Sequence, residues 1–437
     1  MLKQNAGRRR PGRLQARSAG RTRRSGVRIC ALEQLESRQL LSATPLSAGT
    51  AHPLNVLATS AAGTALVAGY SPAQMRHAYG FDQLALNGAG QTIAIVDAFN
   101  DPNIRHDLTV FDQRFGLPAP PGFKQVNQTG GAALPKTNGG WAQEISIDVQ
   151  WAHAIAPGAS ILLVEAKSDG IQDLMAAVDQ ARKQPGVSVV SMSWGGGEFQ
   201  GELKFASHFT APANHQGVTF VASTGDSAAS SSWPAVSPNV LSVGGTHLNL
   251  DASGNRLSET AWRDGGGGIS RYEPAPAYQS GVQNTSYRTV PDVAYDADPN
   301  TGVAVYDSLA YQGAQGWLAF GGTSVGAPQW AGLIALANQG RANATLPTLA
   351  NLPADLYQAV PPSHFYDIVK GSNGYSAHAG YDYATGLGTP RANLIAADLV
   401  ALSSEPAVSN AAPLSSQAPA DVVDKAELRP QGGSDAT

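Results

Sequence analysis

The feature that most constrains the fold is a regular alternation of short apolar runs with longer amphipathic stretches. Residues 91–97 form a run rich in β-branched side chains and flanked by glycine, which predicts a buried strand. Similar runs at 161–165, 187–193 and 218–222 alternate with helical patterns. Strands joined by crossover helices form a parallel sheet covered on both faces. We therefore predict an α/β fold with a doubly wound, mostly parallel sheet.

Helical spacing of apolar residues marks the segments between these runs. Helices are predicted over 73–79, 141–156, 171–182 and 201–215. A further helix is predicted to end at 115 and to start with a cap at Asp101 and with Pro102 in the first helical position. Later strands are predicted at 239–244 and 302–306. In such sheets ligands bind at the carboxyl ends of the strands. Functional residues are expected there.

Composition and charge narrow the class of protein. The 437 residues are 42% hydrophobic and 14% charged, which suits a soluble globular chain with a large core. Residues 1–40 hold 11 of the 29 Lys+Arg and two of the 33 Asp+Glu, so the remainder carries 18 − 31 = −13. An acidic body argues against nucleic-acid binding. The single cysteine, Cys30, permits no internal disulfide, and no apolar run is long enough for an integral membrane helix.

The two ends differ from the middle. The basic leader, residues 1–42, lacks the aromatics expected of a nucleic-acid arm, and its LEQLESRQLLS stretch (32–42) resembles an LExRxLL-type export signal. We therefore expect an extracellular or cell-surface protein. Residues 43–69 are rich in Ala, Thr, Ser and Gly and predict a linker, 70–402 a single catalytic-sized domain, and 403–437 a disordered tail.

One short motif suggests nucleophilic chemistry. Ser324 lies in GGTSVGAP (321–328), where small residues lead from a loop into an apolar-periodic stretch. A serine placed there can expose its hydroxyl beside a helix amino terminus, which favours developing negative charge. A turn that merely starts a packed helix is the alternative, and only a base and an oxyanion donor elsewhere would decide against it.

Three carboxylates are candidates for these roles. Glu144 and Asp148 are four residues apart and project from the same face of the predicted 141–156 helix. They could form an exposed acidic face, or be buried among apolar neighbours, where one pKa rises and the pair shares a proton. Asp226, in STGDS (223–227), follows the 218–222 strand, although it could simply cap a turn.

Histidine is the usual base for a serine nucleophile. His153, His208, His215 and His247 lie in helical or strand patterns without a catalytic-type loop, and we interpret each as structural. The carboxylates are the better candidates for the base.

Together these motifs resemble the sedolisin family of serine-carboxyl peptidases, which have a subtilisin-like fold. The resemblance covers about 70–402 and includes SMSWG (191–195), VPDVA (290–294), AGYD (379–382) and GLG (386–388) in the family's order. It implies that Ser324 is the nucleophile, Glu144 its base, Asp148 the residue that orients Glu144, and a protonated Asp226 the oxyanion donor. The resemblance also implies that Asp97 and Trp194 support these catalytic residues without contacting the substrate.

The resemblance also implies a calcium site near the end of the domain. Asp367 and Asp382 match the carboxylate ligands, and Ile368, His378 and Gly380 match the main-chain carbonyls. All-oxygen ligation suits a hard cation, whereas an isolated Asp-Ile pair would be read as a turn.

Two departures from the family are visible. Some relatives have glutamate where Asp97 stands, and many have glycine where Ala228 stands. Family members are typically made with a large amino-terminal prodomain, and residues 1–69 are too few and too polar to form one. We expect either maturation without it or folding assistance from elsewhere.

The predicted function is an exported, monomeric serine-carboxyl endopeptidase that hydrolyses proteins or peptides through an acyl-enzyme, with an acidic optimum. Three alternatives stay open: a catalytically inactive peptide-binding or surface protein of the same fold, a Ser-His-Asp subtilase, and a calcium-stabilised adhesion module. The last leaves Ser324 without a role.

Overall fold

The computed structural model describes residues 49–58 and 68–403. The predicted leader at 1–42 and the predicted tail beyond 403 lie outside these residues. Within the two described stretches, no helix is both long enough and apolar enough to cross a bilayer.

The described chain contains short and long strands interspersed with helices. The strands are β1 (His52–Pro53), β2 (Val56–Leu57), β3 (Thr92–Ala98), β4 (Phe123–Asn127), β5 (Ser160–Ala166), β6 (Val187–Met192), β7 (Trp194–Gly197), β8 (Thr219–Ser223), β9 (Ser232–Trp233), β10 (Val240–Leu250), β11 (Arg256–Ala261), β12 (Gly268–Pro274), β13 (Tyr287–Val290), β14 (Val293–Asp296), β15 (Val303–Tyr311), β16 (Ala314–Gly321), β17 (Phe365–Tyr366) and β18 (Thr389–Pro390). The α-helices are α1 (Pro72–Ala78), α2 (Ile104–Phe115), α3 (Gly139–Ile155), α4 (Ile171–Arg182), α5 (Gly326–Asn343), α6 (Leu352–Gln358) and α7 (Ala392–Ala401).

The central sheet has eight strands, in the order β11-β10-β8-β6-β3-β5-β4 with β14 also paired to β10. All pairs in it are parallel except β10 with β11. Parallel strands need crossover connections, which usually contain helices that cover the sheet faces, and this arrangement confirms the predicted doubly wound α/β fold.

Alternate residues of the strands are buried in two separate cores. Ile93 and Ile95 of β3 pack in the cluster that contains α3 and α5, whereas Ala94 and Val96 pack in the cluster that contains α4. The period of two along a strand sends successive side chains to opposite faces. Both faces are therefore apolar, which explains the continuous apolar runs of the sequence.

Two predicted helices differ from the structure. The helix expected to start at Asp101-Pro102 begins at Ile104, because the Asp101 carboxylate accepts the backbone N–H of Asn103 and forms a turn before the helix. The helix expected over 201–215 is a 3₁₀-helix, Glu202–Phe209. It stops before Pro212, which disfavours helical geometry in the residue that precedes it.

Part of the predicted linker is paired with the domain. Residues 49–58, named the cleft segment below, contain β1 and β2. β1 runs antiparallel to β7, and β2 runs antiparallel to β16. Strands of two residues carry no periodicity in the sequence, so the prediction of a linker over 43–69 did not anticipate them.

Candidate active site

Ser324 lies at the point where β16 leads into α5. It is the middle residue of a single 3₁₀ turn, Thr323–Val325, and α5 begins at Gly326. The loop-to-helix position predicted for Ser324 is confirmed. Its hydroxyl is buried and makes no hydrogen bond to a described residue that satisfies normal geometry.

Gly322 allows two groups to lie close to this turn. Its φ of 100° lies in the region that favours glycine. A Cβ atom there would lie 2.5 Å from the carbonyl oxygen of Leu54 and 2.7 Å from Oδ2 of Asp226. A larger residue would therefore clash with both, and the missing side chain leaves room for a carbonyl group beside the Asp226 carboxyl.

Glu144 and Asp148 are both completely buried on α3. The Asn55 amide donates to Oε2 of Glu144 at 2.7 Å, and the Ser193 hydroxyl donates to Oδ1 of Asp148 at 2.6 Å. Glu144 Oε1 and Asp148 Oδ2 have no hydrogen-bond partner among the described residues. The open alternative of an exposed acidic face is wrong, since every residue of α3 from Trp141 to Ile155 is buried.

Burial sets the protonation of this pair. It raises the pKa of Glu144 and of Asp148 well above the usual carboxyl range, and the nearby charge of Asp97 raises both further. Hydrogen bonding from Asn55 and an interaction with the Ser324 hydroxyl act in the opposite direction on Glu144. Three acids in one buried space disfavour simultaneous ionisation, and a shared proton between Glu144 and Asp148 stays a prediction.

Asp97, on β3, and Trp194, on β7, are the two residues expected to support this pair of acids. Asp97 is near the carboxyl end of β3; both its oxygens are buried without a hydrogen-bond partner in the described chain, and burial raises its pKa to about 8. The Trp194 indole donates to the backbone carbonyl of Val96 at 2.7 Å. Trp194 thus fixes the backbone next to Asp97 and makes no hydrogen bond to its carboxyl group.

Asp226 follows β8 and faces the Ser324 turn from the other side. Its Oδ1 accepts the Thr323 backbone N–H at 2.8 Å and the Thr323 hydroxyl at 2.9 Å. Its Oδ2 is buried and has no partner among the described residues. Burial raises the pKa of Asp226 to about 7, so below neutral pH this carboxyl is a hydrogen-bond donor.

The four histidines considered in the sequence bind elsewhere. Their ring nitrogens contact the Pro118 carbonyl (His153), Asp179 (His208), the Gln184 carbonyl (His215) and Asp298 (His247). In the described part of the chain no histidine is hydrogen-bonded to Ser324, so the geometry offers a carboxylate base and no imidazole.

The predicted calcium ligands come together in one loop region. Oδ2 of Asp367 accepts the Gly380 N–H at 3.1 Å, and Oδ2 of Asp382 accepts the His378 N–H at 3.0 Å. Within the described residues, the carbonyl oxygens of Ile368, His378 and Gly380 accept no hydrogen bond. Carboxylate and carbonyl oxygens are the ligand types that a hard cation prefers, and the calcium site at these residues stays a prediction.

Sequence reasoning missed several groups around the site. Asp101, Asp107 and Asp307 are buried with carboxylate oxygens within 4.8 Å of one another, and no motif links Asp307 to the other two in the sequence. Ser193, which donates to Asp148, lies in the SMSWG motif that carries part of the family resemblance. The serine directly before Trp194 was the signal that could have identified it. Asn55 lay in a stretch without any pattern.

Comparisons with known proteins agree with this geometry. The model of the subtilase family matches residues 128–358. Kumamolisin from Bacillus sp. (strain MN-32) is 34% identical over 361 residues, and sedolisin from Pseudomonas sp. (strain 101) is 31% identical over 386 residues. The chain belongs to the subtilase family, within its sedolisin group.

The alignments cover most of this chain but a smaller share of each relative. The two alignments include 74% and 78% of this chain but 62% and 63% of the length of the relatives. A solved Pseudomonas sedolisin, a serine-carboxyl proteinase bound to two molecules of pseudo-iodotyrostatin, matches with a TM-score of 0.64 and 28% identity, covering 77% of this chain and 98% of that one. Sphericase, at 20% identity and a TM-score of 0.50, supports the fold alone.

Proposed function

We propose that this protein is a serine-carboxyl endopeptidase that hydrolyses peptide bonds in proteins through an acyl-enzyme on Ser324. One observation carries the proposal. Three buried polar atoms from distant parts of the chain, Ser324 Oγ, Glu144 Oε1 and Asp226 Oδ2, have no hydrogen-bond partner among the described residues. Buried polar atoms are rarely left unpaired in folded proteins, and unpaired groups of these types suit a substrate that brings its own partners.

The roles follow from the residue types. Glu144 removes the hydroxyl proton as Ser324 attacks the carbonyl carbon, and later gives it to the departing amine. Asp148 orients and modulates Glu144. Burial and the charges of Asp97 and Glu144 raise the pKa of Asp148, which keeps it protonated beside an ionised Glu144, and the Ser193 hydroxyl fixes the Asp148 carboxyl. Protonated Asp226, together with the backbone N–H of Ser324, stabilises the oxyanion. Asp97 and Trp194 position Asp148 and Glu144 from behind, by charge and by holding the end of β3.

These roles favour acidic conditions. Asp226 donates only while it is protonated, and its pKa of about 7 means that the donor is lost as the pH rises through neutrality. The base must be ionised, and the shared protons of Glu144, Asp148 and Asp97 allow one ionised carboxylate while the others stay neutral. We expect hydrolysis to be fastest at mildly acidic pH.

The proposal includes a structural calcium ion and export from the cell. The carboxylates of Asp367 and Asp382 with the carbonyls of Ile368, His378 and Gly380 would hold the ion, which would tie the loop together and take no part in hydrolysis. Export rests on the leader motif at 32–42, outside the described residues.

The test is hydrolysis of a denatured protein substrate from acidic to neutral pH by wild type, Ser324→Ala and the control Ser253→Ala, which changes an exposed turn serine. Wild type and the control should cleave at acidic pH and Ser324→Ala should not. Equal cleavage by all three, or none by any, would contradict the proposal and favour an inert peptide-binding fold. Products of mixed length, rather than tripeptides alone, would support endopeptidase action.

A further inference from the structure

Three buried aspartates that take no part in the proposed hydrolysis lie close together. Asp101 lies shortly after β3, Asp107 is in the first turn of α2, and Asp307 is in β15. One carboxylate oxygen of each lies within 4.8 Å of one carboxylate oxygen of each of the other two. All three residues are 0% exposed. Carboxylates this close to one another and away from water need a compensating charge or a proton.

Each of the three carboxylates is held by a hydrogen bond from a backbone N–H. The three bonds are 2.8 Å long and run from Asn103 to Oδ1 of Asp101, from Ser308 to Oδ2 of Asp107, and from Leu309 to Oδ1 of Asp307. They occupy one oxygen of each side chain and leave the second oxygen for another partner. Hydrogen bonds of this kind commonly orient the ligands of a metal site.

The second oxygens of these carboxylates have few partners. Oδ2 of Asp101 accepts a long hydrogen bond of 3.4 Å from the Ser146 hydroxyl, and Oδ1 of Asp107 is 2.8 Å from Nδ1 of His106. Oδ2 of Asp307 is buried and has no hydrogen-bond partner among the described residues. Buried carboxylate oxygens are rarely left without a partner in folded proteins. The free oxygen of Asp307 therefore indicates a bound group between these acids.

Basic side chains do not supply the missing charge. Across residues 49–58 and 68–403, no Lys or Arg forms an ion pair with any of the three aspartates, and His106, which contacts Asp107, has a side chain that is 65% exposed. Without a cation these acids take up protons, since burial and the charges of neighbouring acids raise the pKa of Asp101 to about 7 and of Asp307 to about 6. A bound cation would replace those protons.

The available ligand atoms favour calcium. Three carboxylates and the Ser146 hydroxyl offer oxygen atoms, the ligands that hard cations prefer. Calcium–oxygen distances are about 2.3–2.6 Å, so two ligands on opposite sides of one ion are twice that, about 4.6–5.2 Å, apart. Oxygens within 4.8 Å of one another can therefore contact the same ion. Mg²⁺ usually keeps several of its waters, which suits an open site better than three completely buried side chains.

We propose that Asp101, Asp107 and Asp307 bind a calcium ion that joins the chain after β3, the first turn of α2 and β15. This site shares no residue with the loop predicted to bind calcium near the end of the domain, and it does not depend on the peptidase assignment. The ion would fix the chain four residues after Asp97 and so stabilise the end of β3 behind the active site. Because the ion replaces protons, measurements of Tm against pH report the protonated acids only in the presence of a chelator.

The experiment counts the calcium ions bound per chain, by equilibrium dialysis and elemental analysis. Every sample is the full-length protein with Ser324→Ala, so proteolysis does not change it during dialysis. This parent should bind one ion at each of the two sites. Asp307→Asn and Asp382→Asn should each lose one ion, the double variant should lose both, and Asp251→Asn, at an acid that belongs to neither site, should lose none. Asparagine at position 307 can still accept the Leu309 N–H, so the change removes charge and keeps that hydrogen bond.

The pattern of losses decides between the sites. A calcium count that Asp307→Asn leaves unchanged would overturn the inference, whereas a single ion lost in Asp307→Asn and kept in Asp382→Asn would support it and contradict the loop site. The calcium response of the Tm that remains in Asp382→Asn should disappear in the double variant. Melting curves in chelator establish folding, and Asp101→Asn replaces Asp307→Asn if the latter does not fold. Displacement of the Asp307-dependent ion by about a tenfold excess of Mg²⁺ would overturn the choice of calcium.

Discussion

At the scale of single residues, Asp226 is the group whose protonation the proposed chemistry needs most directly. It takes two hydrogen bonds from Thr323 on one oxygen and leaves the other buried and unpaired. An ionised carboxylate in this position would repel the developing oxyanion, whereas the neutral acid stabilises it. In the proposed mechanism, Asp226 therefore links the pH of the solution to the rate of hydrolysis.

Asp226→Ala is expected to lower kcat by about 10²–10³-fold, the usual cost of removing one oxyanion donor. Asp226→Asn should retain more activity and lose less of it as the pH rises from 6 to 8, because an amide donates without titrating; the pH range brackets the Asp226 pKa of about 7. Steady-state rates across pH measure both. A profile identical in wild type and Asp226→Asn would refute the assignment.

Short motifs named the residues that the structure places close together, and the catalytic roles of these residues stay predictions. Ser324, Glu144 and Asp226 come from distant parts of the chain, and the structure brings them around one turn, as the resemblance implied. Ser193 and Asn55 could not be predicted with a role, because each acts through a single side-chain contact that depends on the folded backbone. Their contacts with Asp148 and Glu144 exist only once β1, β7 and α3 are packed.

At the scale of elements, strands and helices with strong periodicity were predicted well. β3, β5, β6 and β8 are continuous apolar runs because both faces of the sheet are covered, and that pattern is visible without any tertiary information. Elements that depend on a partner were not predicted. β1 and β2 form only against existing sheet edges, and the end of the 3₁₀-helix at Phe209 depends on local turn chemistry.

The loop that contains Asp367 and Asp382 supplies a prediction about metal. Chelation is expected to lower the Tm, and added calcium should restore it in a concentration-dependent manner, because a ligand that binds only the folded state stabilises it. Asp382→Asn should remove most of this response, and Asp251→Asn, at an acid outside the loop, should keep it. An unchanged Tm in the presence of a chelator would contradict the proposed calcium site.

At the scale of the whole molecule, the domain buries many carboxyl groups with little cationic compensation. Burial raises the pKa of Asp101 to about 7, of Asp307 to about 6, and of Glu165 and Glu202 to about 8. Each of these groups holds its proton more tightly when the protein is folded. Their contribution to stability is complete below the pKa of the unfolded chain, near 4, and is lost as the pH rises through the folded values.

The Tm is therefore expected to fall steadily between about pH 4 and pH 8, which are the unfolded and highest folded pKa values of these acids. Glu165→Gln should flatten the decline, since an amide mimics the protonated acid and does not titrate. Asp251→Asn is the control: hydrogen bonds from Asn255 lower the pKa of Asp251, so its removal should leave the slope between pH 4 and pH 8 unchanged. Thermal melts in a pH series measure the slope, and a Tm that rises toward pH 8 would contradict the assignment of neutral buried acids.

The position of the cleft segment has a practical consequence for anyone who produces this protein. Residues 49–58 contribute β1 and β2, and the Asn55 amide donates to Glu144. A shortened chain that starts at Tyr70 would leave one edge of β7 and one edge of β16 unpaired and would remove that contact. A truncated expression clone should therefore begin before Gly49.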